Sequence, residues 1–479
     1  MVCKSFAYPN LMKFFEEISA IPRPSYHEGA IADYLVSFAR ERGLECYRDE
    51  FNNVLINISA TAGREDTEAL LLQGHTDMVC EKNEGIEHDF LTDPLKLYEK
   101  DGWLRAEGTT LGADNGVAVA VMLAILDGAC ESHGPLQCLF TASEEVGLDG
   151  ASGFDYSRIY ATRMLNMDSA DESLIIAGCA GGLRSTITLP LDRKEIVGKS
   201  LKIRIGGLAG GHSGEDIHRG RANANKLMGR ALDRIFTSLP DALLISINGG
   251  TKENAIPREA TAHIRCEDKS RVEELCEDLR RVISAELCAD DSGFFLTVTE
   301  AECDLAPMSR ECGDKAIFLI FSIANGVFEM NRSLSGVVEY SRNLGIVSTD
   351  VSDLCITVNT RSAEESRLDC SVYELDSYAR MLGGRSDHYN RYPGWEYAES
   401  SAIREDYTRA YKALFGAEPS VEVIHAGLEC GIIKKFLPQM DMLSCGPVVL
   451  DLHSPDEALN IASFERFFSV ICKVITDKK

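Results

Sequence analysis

Leu70-Leu71-Leu72-Gln73-Gly74-His75-Thr76-Asp77-Met78-Val79 is the stretch on which the reading of this chain turns. The leucine run has the character of a buried strand, and it ends in a glycine. Extended backbone sends residues two apart to the same side, so His75 and Asp77 face together. In open α/β sheets, ligands collect at that end of a strand. The pair alone fits a loop hydrogen bond as well as a metal site, so other strand ends must supply further acids and histidines.

Cys138-Leu139-Phe140-Thr141-Ala142-Ser143-Glu144-Glu145-Val146-Gly147 again runs an apolar strand into acids. Vicinal carboxylates repel unless one binds a cation, one takes a proton, or a solvated loop holds both. Met164-Leu165-Asn166-Met167-Asp168-Ser169 has the same form. Between the first two, Gly108-Thr109-Thr110-Leu111-Gly112-Ala113-Asp114-Asn115-Gly116 leads into an apolar helix over 117–126 that lacks a solvated face. Asp114, as helix cap or as ligand, therefore belongs at the inner end of a buried helix. Near the C-terminus, Asp451-Leu452-His453-Ser454-Pro455-Asp456-Glu457 offers His453, a surface histidine or a further donor.

The chain has 479 residues and is 45% apolar, more than one hydrophobic core accommodates. A net charge of -26 disfavours polyanions, so no nucleic-acid partner is expected. No run approaches the roughly 20 apolar residues of a membrane span, and Met1-Val2-Cys3-Lys4-Ser5-Phe6 has no apolar signal region. The 16 cysteines are scattered without repeated Cys-X2-Cys spacing, as in a reducing compartment. A cytoplasmic protein without a membrane partner is expected, and any metal falls to oxygen and imidazole ligands.

Strands and helices alternate through the first 185 residues. From about Thr186 the organisation changes. A half-exposed strand is expected over 201–205 and further strands over 242–248, 260–266 and 294–300, with helices over 223–235 and 271–285. A second cycle runs through 316–324, 335–339, 344–349 and 353–360 to a helix over 365–382. The two halves look related but share no demonstrable sequence repeat. Near Gly394 the first pattern returns. The expected fold class is α/β: a catalytic domain of residues 1–185 and 394–479, with a central mixed sheet flanked by helices, interrupted by an α+β insertion over 186–393.

His75, Asp114, Glu145, Asp168 and His453 form a hard-to-borderline donor set suited to zinc, cobalt or manganese. Two divalent ions could share one carboxylate, most economically Asp114. Such pairs, about 3.5–4 Å apart, generate a nucleophilic water and polarise a carbonyl. Glu144, beside a ligand, is placed to shuttle a proton from water to a leaving amine. Asp77 can orient the His75 ring through its second nitrogen.

The phrases at 74–79, 111–116, 144–147 and 166–168, together with His425-Ala426-Gly427-Leu428-Glu429-Cys430-Gly431, resemble those of the aminoacyl-histidine dipeptidases. That family lies in the dinuclear metallopeptidase group of aminoacylases and carboxypeptidases, and the resemblance covers essentially the whole chain. It implies a zinc-peptidase catalytic domain whose insertion is a lid and oligomerisation domain. One ion would be held by His75, Asp114 and Asp168, the other by Asp114, Glu145 and His453. Glu144 becomes the general base and acid, Asp77 the clamp on His75, and the Asp114–Asn115 peptide is expected to be cis. His212, on the residues alone a loop histidine, would stabilise the developing oxyanion. Asn254, Arg361 and Gly427 become substrate-binding candidates for the peptide group and terminal carboxylate.

The implied substrate is a dipeptide, Xaa-His or a wider unblocked set, and the implied assembly is a homodimer. The residues alone leave open the preference for histidine, the native metal, and whether His212 acts within its own chain. A deacylase of N-acyl amino acids using the same metals is the alternative, and a non-catalytic binding protein of this fold is a further one.

Overall fold

The Leu70–His75 strand is buried at every position and runs parallel to Leu136–Thr141 on one side and Arg163–Asn166 on the other. It extends beyond its expected end at Gln73, so His75 is the last strand residue rather than part of the next turn. Gly74 tolerates this because the Ala113–Ala124 helix lies against it. A Cβ there would sit 2.3 Å from Ala118 Cβ.

The computed structural model describes residues 6–194, 200–332 and 334–477; Met1–Ser5 of the N-terminal stretch lie outside them. By its internal contacts the chain forms two units. The first comprises 1–179, 395–423 and 428–479, and the second 180–394 and 424–427. The expected boundary at 185/186 falls inside the strand Gly181–Pro190, whose hydrogen bonds go to the second unit's sheet.

The first unit is built on an eight-stranded sheet in the order Glu45–Arg48, Val54–Ile58, Leu136–Thr141, Leu70–His75, Arg163–Asn166, Asp441–Ser444, Leu174–Cys179, Ser420–Ile424. The four central strands are parallel to one another, while the Glu45 and Val54 strands and the Leu174 strand pair antiparallel. His75, Thr141, Asn166 and Ser444 therefore end on one edge, and the turns that leave these strands emerge there. The Ala113–Ala124 helix, apolar from Val117 onward, packs with Pro9–Ser19 and Ile461–Thr476 in one core. A small four-stranded sheet contains a hairpin of Val449–Leu450 and Ala458–Asn460, which carries His453 in its loop. No helix among the described residues is long and apolar enough to cross a membrane.

The second unit repeats one topology. Gly181–Pro190, Arg310–Ser322, Val338–Thr349, Asp353–Ser362, Glu365–Leu382 and Arg385–Tyr392 run strand–helix–strand–strand–helix–strand, and their strands lie in the sheet order fourth, first, third, second. Inserted after the first of these strands is the same sequence of elements: Ser200–Gly206, Ala224–Ser238, Leu243–Gly249, Ala260–Arg265, Lys269–Glu286 and Phe295–Ala301. It has the same strand order. The halves join antiparallel through their second strands at Gly249 and Val347, where Thr349 Oγ1 accepts from Ile247 N–H and donates to Ile247 O. Two of the expected short strands, 335–339 and 344–349, merge into Val338–Thr349 across a register shift between Leu344 and Ile346.

The close approach at Gly74 carries a prediction. Gly74→Ala overpacks the contact with Ala118 and should lower unfolding free energy by about 1–3 kcal/mol in urea denaturation; an unchanged midpoint would contradict the packing described.

Candidate active site

All five expected metal ligands, with Asp77 and Glu144, lie in the first unit. His75 Nε2 is 2.9 Å from Asp114 Oδ1 and 3.6 Å from Asp168 Oδ1. His453 Nε2 is 3.3 Å from Asp114 Oδ2 and 3.1 Å from Glu145 Oε1. Ligand atoms of His75, Asp114 and Asp168 all fall within 4.8 Å of one another, as do those of Asp114, Glu145 and His453. Each Asp114 oxygen thus faces a different imidazole. The Asp114–Asn115 peptide is cis, and Asn115 Nδ2 donates to Asp168 Oδ1 at 2.8 Å.

Asp77 is fully buried. The His75 Nδ1 atom is 3.1 Å from Asp77 O and 3.3 Å from Asp77 Oδ1, so main chain and carboxylate share the orienting role expected of the carboxylate alone. The same carboxylate accepts from Ser25 Oγ at 2.7 Å and from the backbone N–H groups of Glu144 and Glu145 at 3.0 and 3.2 Å. One side chain therefore fixes both the His75 ring and the turn bearing the vicinal glutamates.

The charges in this space do not balance among themselves. Burial, reinforced by Asp168, Glu145 and Glu429, pushes the Glu144 carboxyl well above its ordinary range. Burial and the Asp114 charge push Asp168 up to about 6. The adjacent Asp114 and Glu145 carboxylates raise His453 to about 10. Burial works against a charged His75, but Asp168 and Asp114 outweigh it and hold the imidazole well above its usual value. Glu145 Oε1 is buried, 3.1 Å from His453 Nε2 and without a hydrogen bond. Oxygen and imidazole donors, excess negative charge and a buried carboxylate oxygen without a hydrogen bond fit hard or borderline divalent cations.

Three features of this site are not evident from the local sequence. Glu429, fully buried at the start of the Glu429–Phe436 helix, accepts from Gln73 Nε2 at 2.5 Å and Thr141 Oγ1 at 2.8 Å. Gln73 in turn accepts from Asn166 Nδ2 at 2.6 Å, so polar side chains cross-link three of the four central strands just below the site. The available signal is Gln73, a polar residue inside an apolar strand. Arg23, fully buried, donates to the carbonyls of Thr76, Asp77 and Gly112. The free N–H groups ahead of the Ala113–Ala124 helix are taken by Glu457, whereas the sequence pattern assigns that helix end to Asp114.

His212, Asn254, Arg361 and Gly427 belong to the second unit. Glu215 N–H points at His212 Nδ1 at 3.3 Å, which leaves the ring proton on Nε2. Burial and the Arg361 charge lower the His212 pKa, so the ring is neutral. Arg361 is buried, donating to Tyr392 OH at 3.1 Å and to His425 O at 3.4 Å, with Nε unpartnered. No carboxylate pairs with it among the described residues, which leaves a buried cation open to an anion. Gly427 makes room for Tyr392, whose ring would lie 2.7 Å from a Cβ there. Asn254 O accepts from Ser213 N–H. His425, to which the sequence pattern gives no role of its own, shares a 2.7 Å hydrogen bond with Ser341 Oγ; burial and Arg361 drive its pKa down to about 3.

Burial, with Asp168 adding to it, pushes Glu429 up to about 7 against the opposing effects of His75 and the Thr141 hydroxyl. An acid raised on folding contributes stability that is full below its unfolded value of about 4.3 and is lost as pH climbs through the folded value. In metal-free protein, Glu429→Gln should therefore lose less stability than the parent between about pH 4.3 and 7; parallel slopes in denaturant melts would count against this environment.

Residues 71–477 match peptidase family M20/M25/M40. Cytosol non-specific dipeptidase of Escherichia coli K12 is 39% identical over 471 residues, covering 98% of this chain and 97% of the relative. The crystal structure of aminoacylhistidine dipeptidase from Vibrio alginolyticus superposes with a TM-score of 0.93 at 36% identity, over 99% of this chain and 98% of that one. Aminopeptidase PepT from Bacillus cereus shares the fold, at a TM-score of 0.57 and 16% identity, over 98% of each chain. The chain is a member of peptidase family M20/M25/M40.

Proposed function

We propose that this chain is a metal-dependent dipeptidase that hydrolyses unblocked dipeptides, Xaa-His among them. The observation that carries the proposal is the division of Asp114, one oxygen toward His75 and the other toward His453. That division supports one ion among His75, Asp114 and Asp168 and a second among Asp114, Glu145 and His453. Bound there, two divalent ions supply Lewis-acid polarisation and a nucleophilic water at neutral pH. Zinc suits the donors best, with cobalt or manganese as alternatives.

Glu144 takes the proton of the attacking water on its carboxylate and returns it to the leaving amine nitrogen. Its raised proton affinity and the backbone anchor from Asp77 support this role. His212, neutral with its proton on Nε2, donates to the oxyanion that develops on the carbonyl. Arg361 receives the substrate's terminal carboxylate, Asn254 its peptide group, and Gly427 keeps Tyr392 beside Arg361. The second unit acts as the lid. His212, Arg361 and His425 lie close together inside that unit: a Cβ on Gly214 would meet His425 O at 2.5 Å and His212 Cε1 at 3.2 Å. The homodimer expected from the resemblance, like the cytoplasmic location, remains part of the proposal, with sedimentation mass as the check on the former.

Two experiments test this function. Glu144→Gln should keep its metal content and lose kcat by about 10²–10⁴-fold; unchanged turnover in metal-replete protein removes the assigned role. In a panel on metal-defined protein, Ala-His and Ala-Leu should be cleaved faster than N-acetyl-histidine or N-acetyl-leucine, and Arg361→Met should raise KM for the dipeptides. Faster turnover of the acylated compounds establishes the deacylase instead.

A further inference from the structure

Glu457 takes no part in the mechanism above, yet it is 2% exposed and both of its oxygens are used. Oε2 accepts from the backbone N–H groups of Leu111 at 2.8 Å and Gly112 at 2.9 Å, and Oε1 from Ala113 at 2.8 Å and Asp114 at 3.3 Å. Gly112 has φ 66°, which turns consecutive N–H groups into one concavity. Arg23 holds the opposite side of the same turn through Gly112 O at 2.7 Å, and a Cβ on Gly112 would lie 2.6 Å from Arg23 Nη2. The turn that presents Asp114 is thus gripped from its carbonyl side by Arg23 and from its N–H side by Glu457.

The other end of Glu457 matters as much. It closes the loop of the hairpin that carries His453, four residues earlier. Within that loop Ser454 and Asp456 bond locally. The side-chain ties that leave it, among the described residues, are Arg105 Nη1 to Asp456 O, His453 itself, and Glu457. His453 is half exposed, with side-chain accessibility of 50%, and sits at φ 60°. By contrast, His75 is 1% exposed and ends a central strand, and Asp168 comes shortly after another. His75 and Asp168 are therefore carried by sheet edges, whereas His453, alone among the ligands, depends on how an exposed loop is pinned to the Asp114 turn.

We propose that Glu457 is a positioning residue that sets the affinity of the ion position formed by Asp114, Glu145 and His453, by fastening the His453 loop to the Asp114 turn with a single carboxylate. The proposal rests on the ligand assignment above. Loss of Glu457 frees the loop, whereas the His75, Asp114 and Asp168 position keeps its strand supports and the Arg23 grip.

The test is metal binding to the full-length protein, stripped with chelator and titrated with Zn²⁺ or Mn²⁺, with ions per chain read by elemental analysis. His453→Ala serves as comparator and Arg105→Ala as a control that cuts only the Asp456 tie. Glu457→Gln replaces one acceptor oxygen by a donor facing two N–H groups. It should bind the first ion with parent affinity and the second at least about tenfold more weakly, with kcat reduced at limiting metal, restored by excess metal, and KM for a dipeptide unchanged. Arg105→Ala should keep both affinities. Where Glu457→Gln yields no folded protein, Glu457→Asp keeps the charge beside Arg23 but shortens its reach, and the same outcomes apply. Parent affinity at both positions, or equal weakening at both, overturns the proposal. If His453→Ala keeps both ions at parent affinity, the ligand assignment falls first; if it loses one while Glu457→Gln and Glu457→Asp do not, only the role of Glu457 falls.

Discussion

Negative charge gathered around Asp114 is the constraint on which the first unit depends. Unit charges 4 Å apart interact by about 4 kcal/mol at an effective dielectric constant of 20, and Glu144, Glu145 and Asp168 share this largely buried space with Asp114 and Asp77. Without cations the protein answers by raising the proton affinity of Glu144 and Asp168 and holding His453 protonated. Such an arrangement would be a poor device for stability, because burying charge costs more than mutual attraction returns unless every partner is placed. The scaffold is accordingly devoted to placement: three parallel strand ends cross-linked by Gln73, Asn166, Thr141 and Glu429, and a turn held by Arg23.

The parts of this arrangement that are legible from sequence are those in which one residue type carries the signal. A leucine run ending at Gly74-His75, an acidic pair after Phe140 and an aspartate after Met164 each mark a strand end locally, and the sheet brings them together because parallel strands end on one edge. The apolar Val117–Ala124 stretch marks burial for the same reason. The hidden parts depend on partners distant in the chain. Glu457 looks like any acid in an exposed turn until Leu111 to Asp114 fold onto it, and its capture of those N–H groups leaves the Asp114 carboxylate free to face the imidazoles. Arg23 lies in a proline-broken segment whose function is to satisfy three carbonyls. The Gly181–Pro190 strand crosses the expected boundary because its partner, Asp353–Ser362, lies about 170 residues further along the chain.

The second unit shows why its two halves look related without a repeat. Topology is duplicated while the sequence is not, since a strand–helix–strand–strand–helix–strand layer needs only the period of its apolar residues and tolerates wide changes in their identity. Nesting one copy between the first strand and first helix of the other also splits the enclosing copy in sequence, which hides the repeat further. Joining the copies through their second strands makes one continuous sheet of both.

That seam bears on the chemistry. His212 belongs to the nested copy, and Arg361, Tyr392 and Ser341 to the enclosing one, with His425 added from a distant short segment. Arg361 lies near enough to depress the proton affinity of both His212 and His425. A cation that keeps a neighbouring imidazole neutral does two things at once. It fixes the ring as an N–H donor without a charge of its own, and it reserves the positive charge of the cluster for Arg361. In the proposed reaction the neutral donor then meets the oxyanion only as charge develops there, while the guanidinium holds the terminal carboxylate before and after. Duplication within one chain supplies both groups, so the pairing of His212 with Arg361 needs no residue from a second copy.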